Sequence, residues 1–119
     1  MTAGVLVVGL DDTVTEFLAA VLRRSGIDAR PARAEVAAVR ANDDEPALVL
    51  VDTELTVVRS IRSLADPKRA GVPVVVLGAE HAGPDAADEA VAAGATHYVG
   101  RPITDAVLIN GIRTILDAG

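Results

Sequence analysis

At 119 residues the chain can build one domain that buries roughly two-thirds of its extended surface, and it is too short for a second core. Seventeen acidic residues against eleven basic ones leave a net charge of −6, which opposes condensation on a polyanion; no cluster of Lys or Arg is interleaved with aromatics, so nucleic acid is not an expected partner. The lack of cysteine excludes disulfides and thiolate metal sites, no apolar run approaches the ~20 residues of a membrane span, and no basic segment leads into a long apolar one at the start, so the expected setting is cytoplasmic.

The apolar half of the composition is mainly Val, Ala, Leu and Ile, with Phe17 and Tyr98 as the only aromatics, which suits helices packed closely on a parallel sheet. Val5-Leu6-Val7-Val8 reads as a first strand. Behind Asp12, read as an N-cap, Val14, Phe17, Leu18, Val21 and Leu22 recur at helical spacing until Ser25-Gly26 closes the helix. A weakly specified edge strand is expected at 27–30. A second helix is expected over 34–41, ended by the turn formers Asn42-Asp43-Asp44-Glu45-Pro46. The run Ala47-Leu48-Val49-Leu50-Val51-Asp52 is a third strand that ends on a carboxylate. Leu55, Val58, Ile61 and Leu64 then share one helical face, which Asp66-Pro67 stops. Val72-Pro73-Val74-Val75-Val76-Leu77 forms a fourth strand leading to Gly78-Ala79. Pro84 fits the first turn of a small-residue helix over 86–93 that Gly94 ends. His97-Tyr98-Val99-Gly100-Arg101-Pro102 is the fifth strand and its exit, and Thr104 or Asp105 caps a last helix carrying Val107, Leu108, Ile112, Ile115 and Leu116.

Five strands alternating with five helices, joined by right-handed crossovers, predict a single α/β domain over 1–119, a doubly wound five-stranded parallel sheet of order 2-1-3-4-5. In that order strands one and three are neighbours, so the turn after Val8 and the carboxylate of Asp52 converge on one crevice at the carboxyl edge, where open α/β sheets keep their sites. His81 and His97 read as a loop residue and a strand-edge residue; neither sits among further ligands at metal spacing.

These segments together resemble the receiver domain of bacterial response regulators, a flavodoxin-like, CheY-like three-layer sandwich, over nearly the whole chain. The resemblance implies that Asp52 is the phosphoacceptor equivalent, and that acids directly after strand one join it in holding Mg²⁺. It implies a Thr or Ser hydroxyl after strand four, a Lys followed by a cis proline after strand five, and a strand-five aromatic that changes rotamer. In gapless register to Ser25-Gly26, Gly9 and Leu10 stand where the acid pair is expected, and neither can ligate a hard cation through its side chain. Asp11 is the nearest remaining acid. Glu54, two residues beyond Asp52, has a carboxylate that either fills the emptied cation position or is solvated. Gly78 replaces the hydroxyl and offers only its backbone N–H. Arg101 replaces the lysine, followed by Pro102 at the cis position, and Tyr98 matches the aromatic, with plain sheet packing as the alternative. Without a metal, a partly buried carboxylate needs a counter-charge, and Arg101 is the base the fold places nearest, so an Arg101–Asp52 pair is expected.

The implied function is signalling in a two-component, phosphorelay-type system. The favoured expectation is a pseudo-receiver: no enzyme, no cofactor, a protein–protein interaction module whose partner is a histidine kinase or an output protein. A homodimer through the face of the fourth helix, fifth strand and last helix is a further expectation. The alternative is a phosphorylatable receiver that accepts a phosphoryl group from a histidine kinase on Asp52, with Mg²⁺ held weakly by Asp11 and Asp52. A small-molecule module has no support, because the glycine-rich phosphate loop, the Walker lysine and the Asp-x-His-x-x-Gly signature of cobalamin modules are all absent.

Overall fold

Each apolar run becomes a strand because its β-branched residues bury on both faces. The computed structural model describes residues 4–80 and 82–118, with the backbone alone at 68 and 69. β1 (Val5–Gly9), β2 (Ala29–Arg33), β3 (Leu48–Asp52), β4 (Val74–Leu77) and β5 (His97–Val99) form one sheet in the order β2-β1-β3-β4-β5, with every pairing parallel. The connections carry α1 (Asp12–Arg24), α2 (Ala37–Asp44), α3 (Leu55–Arg62), a single turn α4 (Pro67–Ala70) and α5 (Ala86–Ala93), and α6 (Asp105–Ala118) follows β5. The doubly wound sheet is the expected one, and α4 is an addition to the five expected helices.

Alternation along the strands divides the interior in two. Leu6, Val8, Val49, Val51, Val74 and Val76 face a core closed by Ala37 and Ala41 of α2, Val57, Val58 and Ile61 of α3, and Ala90 and Ala93 of α5. Val5, Val7, Leu48, Leu50, Val75 and Leu77 face the other, closed by Ala19 and Leu22 of α1 and Leu108 and Ile112 of α6. With helices on both faces, the central strands are buried throughout except at Asp52. Among the described residues no helix is long and apolar enough to cross a membrane.

Several boundaries differ from expectation for local reasons. The second strand runs Ala29–Arg33 rather than 27–30, because Ile27 belongs to the end of α1: its N–H donates to Leu22 O and that of Gly26 to Arg23 O, the paired bonds of a Schellman cap. Pro31 is tolerated there because β2 is an edge. The helix expected over 34–41 begins with a 3₁₀ turn, Ala34–Val36, and continues as α2 through Asp44; an Arg40–Asp44 pair at 2.9 Å supports the extra turn until Glu45 turns left-handed before Pro46. α3 already ends at Arg62, and Pro67 opens α4 rather than stopping α3, proline being well suited to a first helical position. Pro84 lies in the turn closed by Ala86 N–H on Gly83 O, ahead of α5 and not within its first turn. Of the two expected caps for α6 the structure uses Thr104, whose Oγ1 accepts from Val107 N–H at 3.2 Å.

Candidate functional site at the carboxyl edge

The register that pairs Val8 with Val51 and Asp52 with Leu77 brings the ends of β1, β3 and β4 to one edge, and Leu77 pairs in turn with Val99 of β5. Asp52 is the last residue of β3. The next residue, Thr53, has φ 65°, a left-handed conformation that a β-branched residue rarely adopts, and Glu54 N–H closes a three-residue turn on Asp52 O at 2.9 Å. Thr53 N–H meanwhile donates to Leu77 O at 3.0 Å, which ties this turn to β4.

Arg101, leaving β5 through a cis peptide bond to Pro102, reaches back over this edge. Its Nη1 donates to Asp52 Oδ1 at 2.7 Å and to Gly78 O at 2.9 Å. The two side chains are only 20% and 14% exposed, so the pair is shielded from the salt screening that weakens surface ion pairs. The expected Arg101–Asp52 pair is therefore present, with one addition: the guanidinium also anchors the backbone where β4 ends.

On the β1 side the crevice is filled. Gly9 is buried, and a Cβ there would lie 2.9 Å from Thr15 Cγ2 and 3.2 Å from Asp52 Cβ, so the space a liganding side chain would need is occupied. Leu10 points outward and is 68% exposed. Asp11, not Asp12, is the N-cap of α1. Its backbone is extended and its Oδ1 accepts from Thr13 N–H at 2.9 Å and Val14 N–H at 3.4 Å. Asp12 is the first helical residue and pairs with Arg33 at 2.8 Å; the hydrogen bond and charge of Asp12 raise the Arg33 pKa. Two adjacent acids fit a cap equally well by pattern, and the turn geometry after Gly9 selects the first.

These residues do not fit Mg²⁺. Gly9 and Leu10 have no side-chain oxygen, Asp11 Oδ1 caps its own helix, Asp52 Oδ1 faces a guanidinium, and Glu54 Oε2 accepts from Thr56 Oγ1 at 3.3 Å. Among the described residues no group of three His, Asp or Glu could hold a metal ion. His97 starts β5 and is exposed, as expected of a strand edge; His81 lies outside the described residues.

Gly78 departs from expectation in what it offers. Its N–H is not available to a ligand, because it donates to Val99 O at 2.8 Å; its carbonyl is what serves the site, accepting from Arg101. Its missing side chain matters more. A Cβ at this position would clash with the Tyr98 hydroxyl oxygen and lie 2.5 Å from Tyr98 Cζ, so the half-buried phenol takes the volume a residue at 78 would require. Sequence reasoning missed this pairing; a glycine closing one strand beside a lone aromatic on the next was its only trace.

No protein-family model matches the sequence, and no curated protein does. Solved structures do. A Chloroflexus aurantiacus protein assigned as a response regulator is 27% identical over 98% of this chain and 99% of its own, with a TM-score of 0.84. The receiver domain of NtrX from Brucella abortus is 24% identical over 97% and 99%, with a TM-score of 0.81. Chemotaxis protein CheY4 of Vibrio cholerae, 18% identical over 97% and 99%, gives 0.83. The chain has the CheY-like receiver fold. Within that fold, Gly9, Leu10, Gly78 and Arg101 differ from the residue types the resemblance implies, while Asp52, Tyr98 and Pro102 keep them.

Proposed function

We propose that this receiver domain is a pseudo-receiver, a protein–protein interaction module of two-component signalling whose state is set by its fold and not by phosphorylation, and that it catalyses no reaction. The observation that carries this reading is the bond between Arg101 and Asp52, closed on Gly78 O. Phosphoryl transfer to a carboxylate needs an accessible oxygen and a cation to neutralise the developing charge. Here one oxygen is bound by a guanidinium, the side chain is 14% exposed, and the residues that would hold Mg²⁺ are missing. The partner surface we favour is the open side of β5 with α5 and α6, where Val91 and Val107 are exposed; a histidine kinase, an output domain or a second copy are its candidate occupants.

The phosphorylatable alternative rests on the position of Asp52 at the end of β3 and requires Arg101 to swing away first. Incubation with Mg²⁺ and a small phosphodonor, read by intact mass, separates the two. The pseudo-receiver keeps its mass, whereas a phosphoryl adduct that Asp52→Asn abolishes overturns the reading.

A further inference from the structure

We infer that a second copy of this chain docks head to tail, the arginine-flanked valines of the 3₁₀ turn and α2 in one copy seating on the acid-flanked Val91 of α5 in the next. The charge of the molecule is divided between the two ends of its sheet. Five of the eleven basic residues stand between Arg23 and Arg40, where Asp28 and Glu35 are the only acids, and this stretch builds the β2 edge and the start of α2. From Ala70 to Gly100 there is no Lys or Arg, while Glu80, Asp85, Asp88 and Glu89 are all exposed; this stretch builds β4, α5 and the β5 edge. β2 and β5 are the outermost strands, so a molecule that is acidic overall has one basic end and one acidic end. Arg33 and Arg40 share their charge with Asp12 and Asp44, but among the described residues Arg30 and the four acids have no ion pair. Like ends repel, and a head-to-tail approach alone brings opposite ends together.

Each end also carries apolar side chains among its charges. Val36 and Val39 lie three residues apart on one stripe and are exposed, with Arg33 a turn before them and Arg40 beside them; Arg30 projects to the same side of β2 as Ala32, which packs in the core that α2 closes. On α5, Val91 is exposed, with Asp88 one turn before it and Asp85 a turn further back. Valines covering one another within a rim of opposite charges have the anatomy of a small interface. α2, α3 and α5 cover one face of the sheet, with α3 packed against both of the others, so the two patches belong to separate helices of one layer. The contact is therefore heterologous, and each copy that joins leaves a free face for the next. Its signalling meaning rests on the interaction-module reading above, to which it adds a partner; the contact itself does not depend on phosphorylation.

Sedimentation velocity of the whole chain, over a range of concentrations at low and high salt, tests the contact. At low salt the weight-average coefficient should climb with concentration past that of a dimer, and added salt should return it to that of a monomer. Two double variants blunt one face each at exposed positions: Arg30→Gln with Val39→Ser, and Asp88→Asn with Val91→Ser. Each alone should stay monomeric. Mixed in equal amounts they should form a dimer and nothing larger, because one supplies an intact acidic face and the other an intact basic one. A wild type that stays monomeric at low salt overturns the contact, as does a dimer of fixed size, an assembly indifferent to salt, or a variant mixture that remains monomeric. A phosphoryl adduct on Asp52 in a chain that assembles in this way would sink the pseudo-receiver reading and leave the contact standing; a chain that keeps its mass but stays monomeric would do the reverse.

Discussion

Two arginines, one at each edge of the sheet, show how the same side chain serves a scaffold and a site. At the amino edge Arg62, on the last turn of α3, donates Nε–H to Gly94 O at 2.8 Å, Nη1–H to Ala70 O at 2.5 Å and Val72 O at 2.6 Å, and Nη2–H to Thr96 Oγ1 at 3.0 Å. None of these acceptors is an acid, and partial burial pushes the Arg62 pKa down from its ordinary value. At the carboxyl edge Arg101 has a carboxylate and one carbonyl. The acceptors of Arg62 are carbonyls and a hydroxyl, which carry no charge to change, so its role is to join α3, the starts of β4 and β5 and the end of α5 whatever the conditions. The main partner of Arg101 is a carboxylate, so this contact, unlike those of Arg62, joins two opposite full charges at the end of β3.

The largest effect should therefore come from the scaffold. Arg62→Ala takes the guanidinium from three carbonyls and from Thr96 Oγ1, which still accepts from Val74 N–H at 3.1 Å, and should cost about 2–4 kcal/mol in urea denaturation. Arg62→Lys should recover only part of this, because a tetrahedral ammonium cannot serve acceptors spread around a planar fork. Full recovery by lysine would show that charge, not geometry, holds this edge.

Next, Arg101→Ala strips Asp52 of its counter-charge and Gly78 O of a donor, and should cost roughly 1–3 kcal/mol. Asp52→Asn keeps a carbonyl oxygen facing Arg101 and should be milder. A reversed order would mean that the carboxylate finds its stabilisation elsewhere.

Smaller effects lie beside the site. Thr53 holds a left-handed conformation that asparagine adopts more readily, so Thr53→Asn should raise stability by about 0.5–1 kcal/mol, checked by the denaturation midpoint. Asp11→Ala removes the cap of α1 and should cost about 1 kcal/mol, whereas Asp12→Ala, which loses only an exposed pair with Arg33, should change little and should lose what effect it has as salt is added. Equal losses for the two would contradict the assignment of Asp11 as the cap.

Much of this fold was legible in the residue pattern. The two-sided burial of a parallel sheet writes itself as continuous Val and Leu runs, which located β1, β3 and β4 and, with the alternating helices, their order. The pairing of Arg101 with Asp52 followed from topology plus one electrostatic requirement. What stayed hidden depends on distances across elements or on backbone partners. The acceptors of Arg62 are mostly main-chain carbonyls, which have no letter in a sequence. The late start of β2 reflects backbone bonds at Gly26 and Ile27, and the choice of Asp11 over Asp12 turns on one residue of phase. The overlap of Gly78 with the Tyr98 ring is a matter of a few ångströms between neighbouring strands, below what spacing resolves.

The account turns on whether Asp52 and Arg101 hold each other, and a double-mutant cycle measures that directly. Asp52→Asn, Arg101→Ala and the double variant are unfolded in urea at low salt beside the wild type. If the pair closes the site, the double variant should lose less than the sum of the singles, with a coupling on the order of 1 kcal/mol. Losses that add to within about 0.3 kcal/mol would show two independent side chains and a carboxylate standing free.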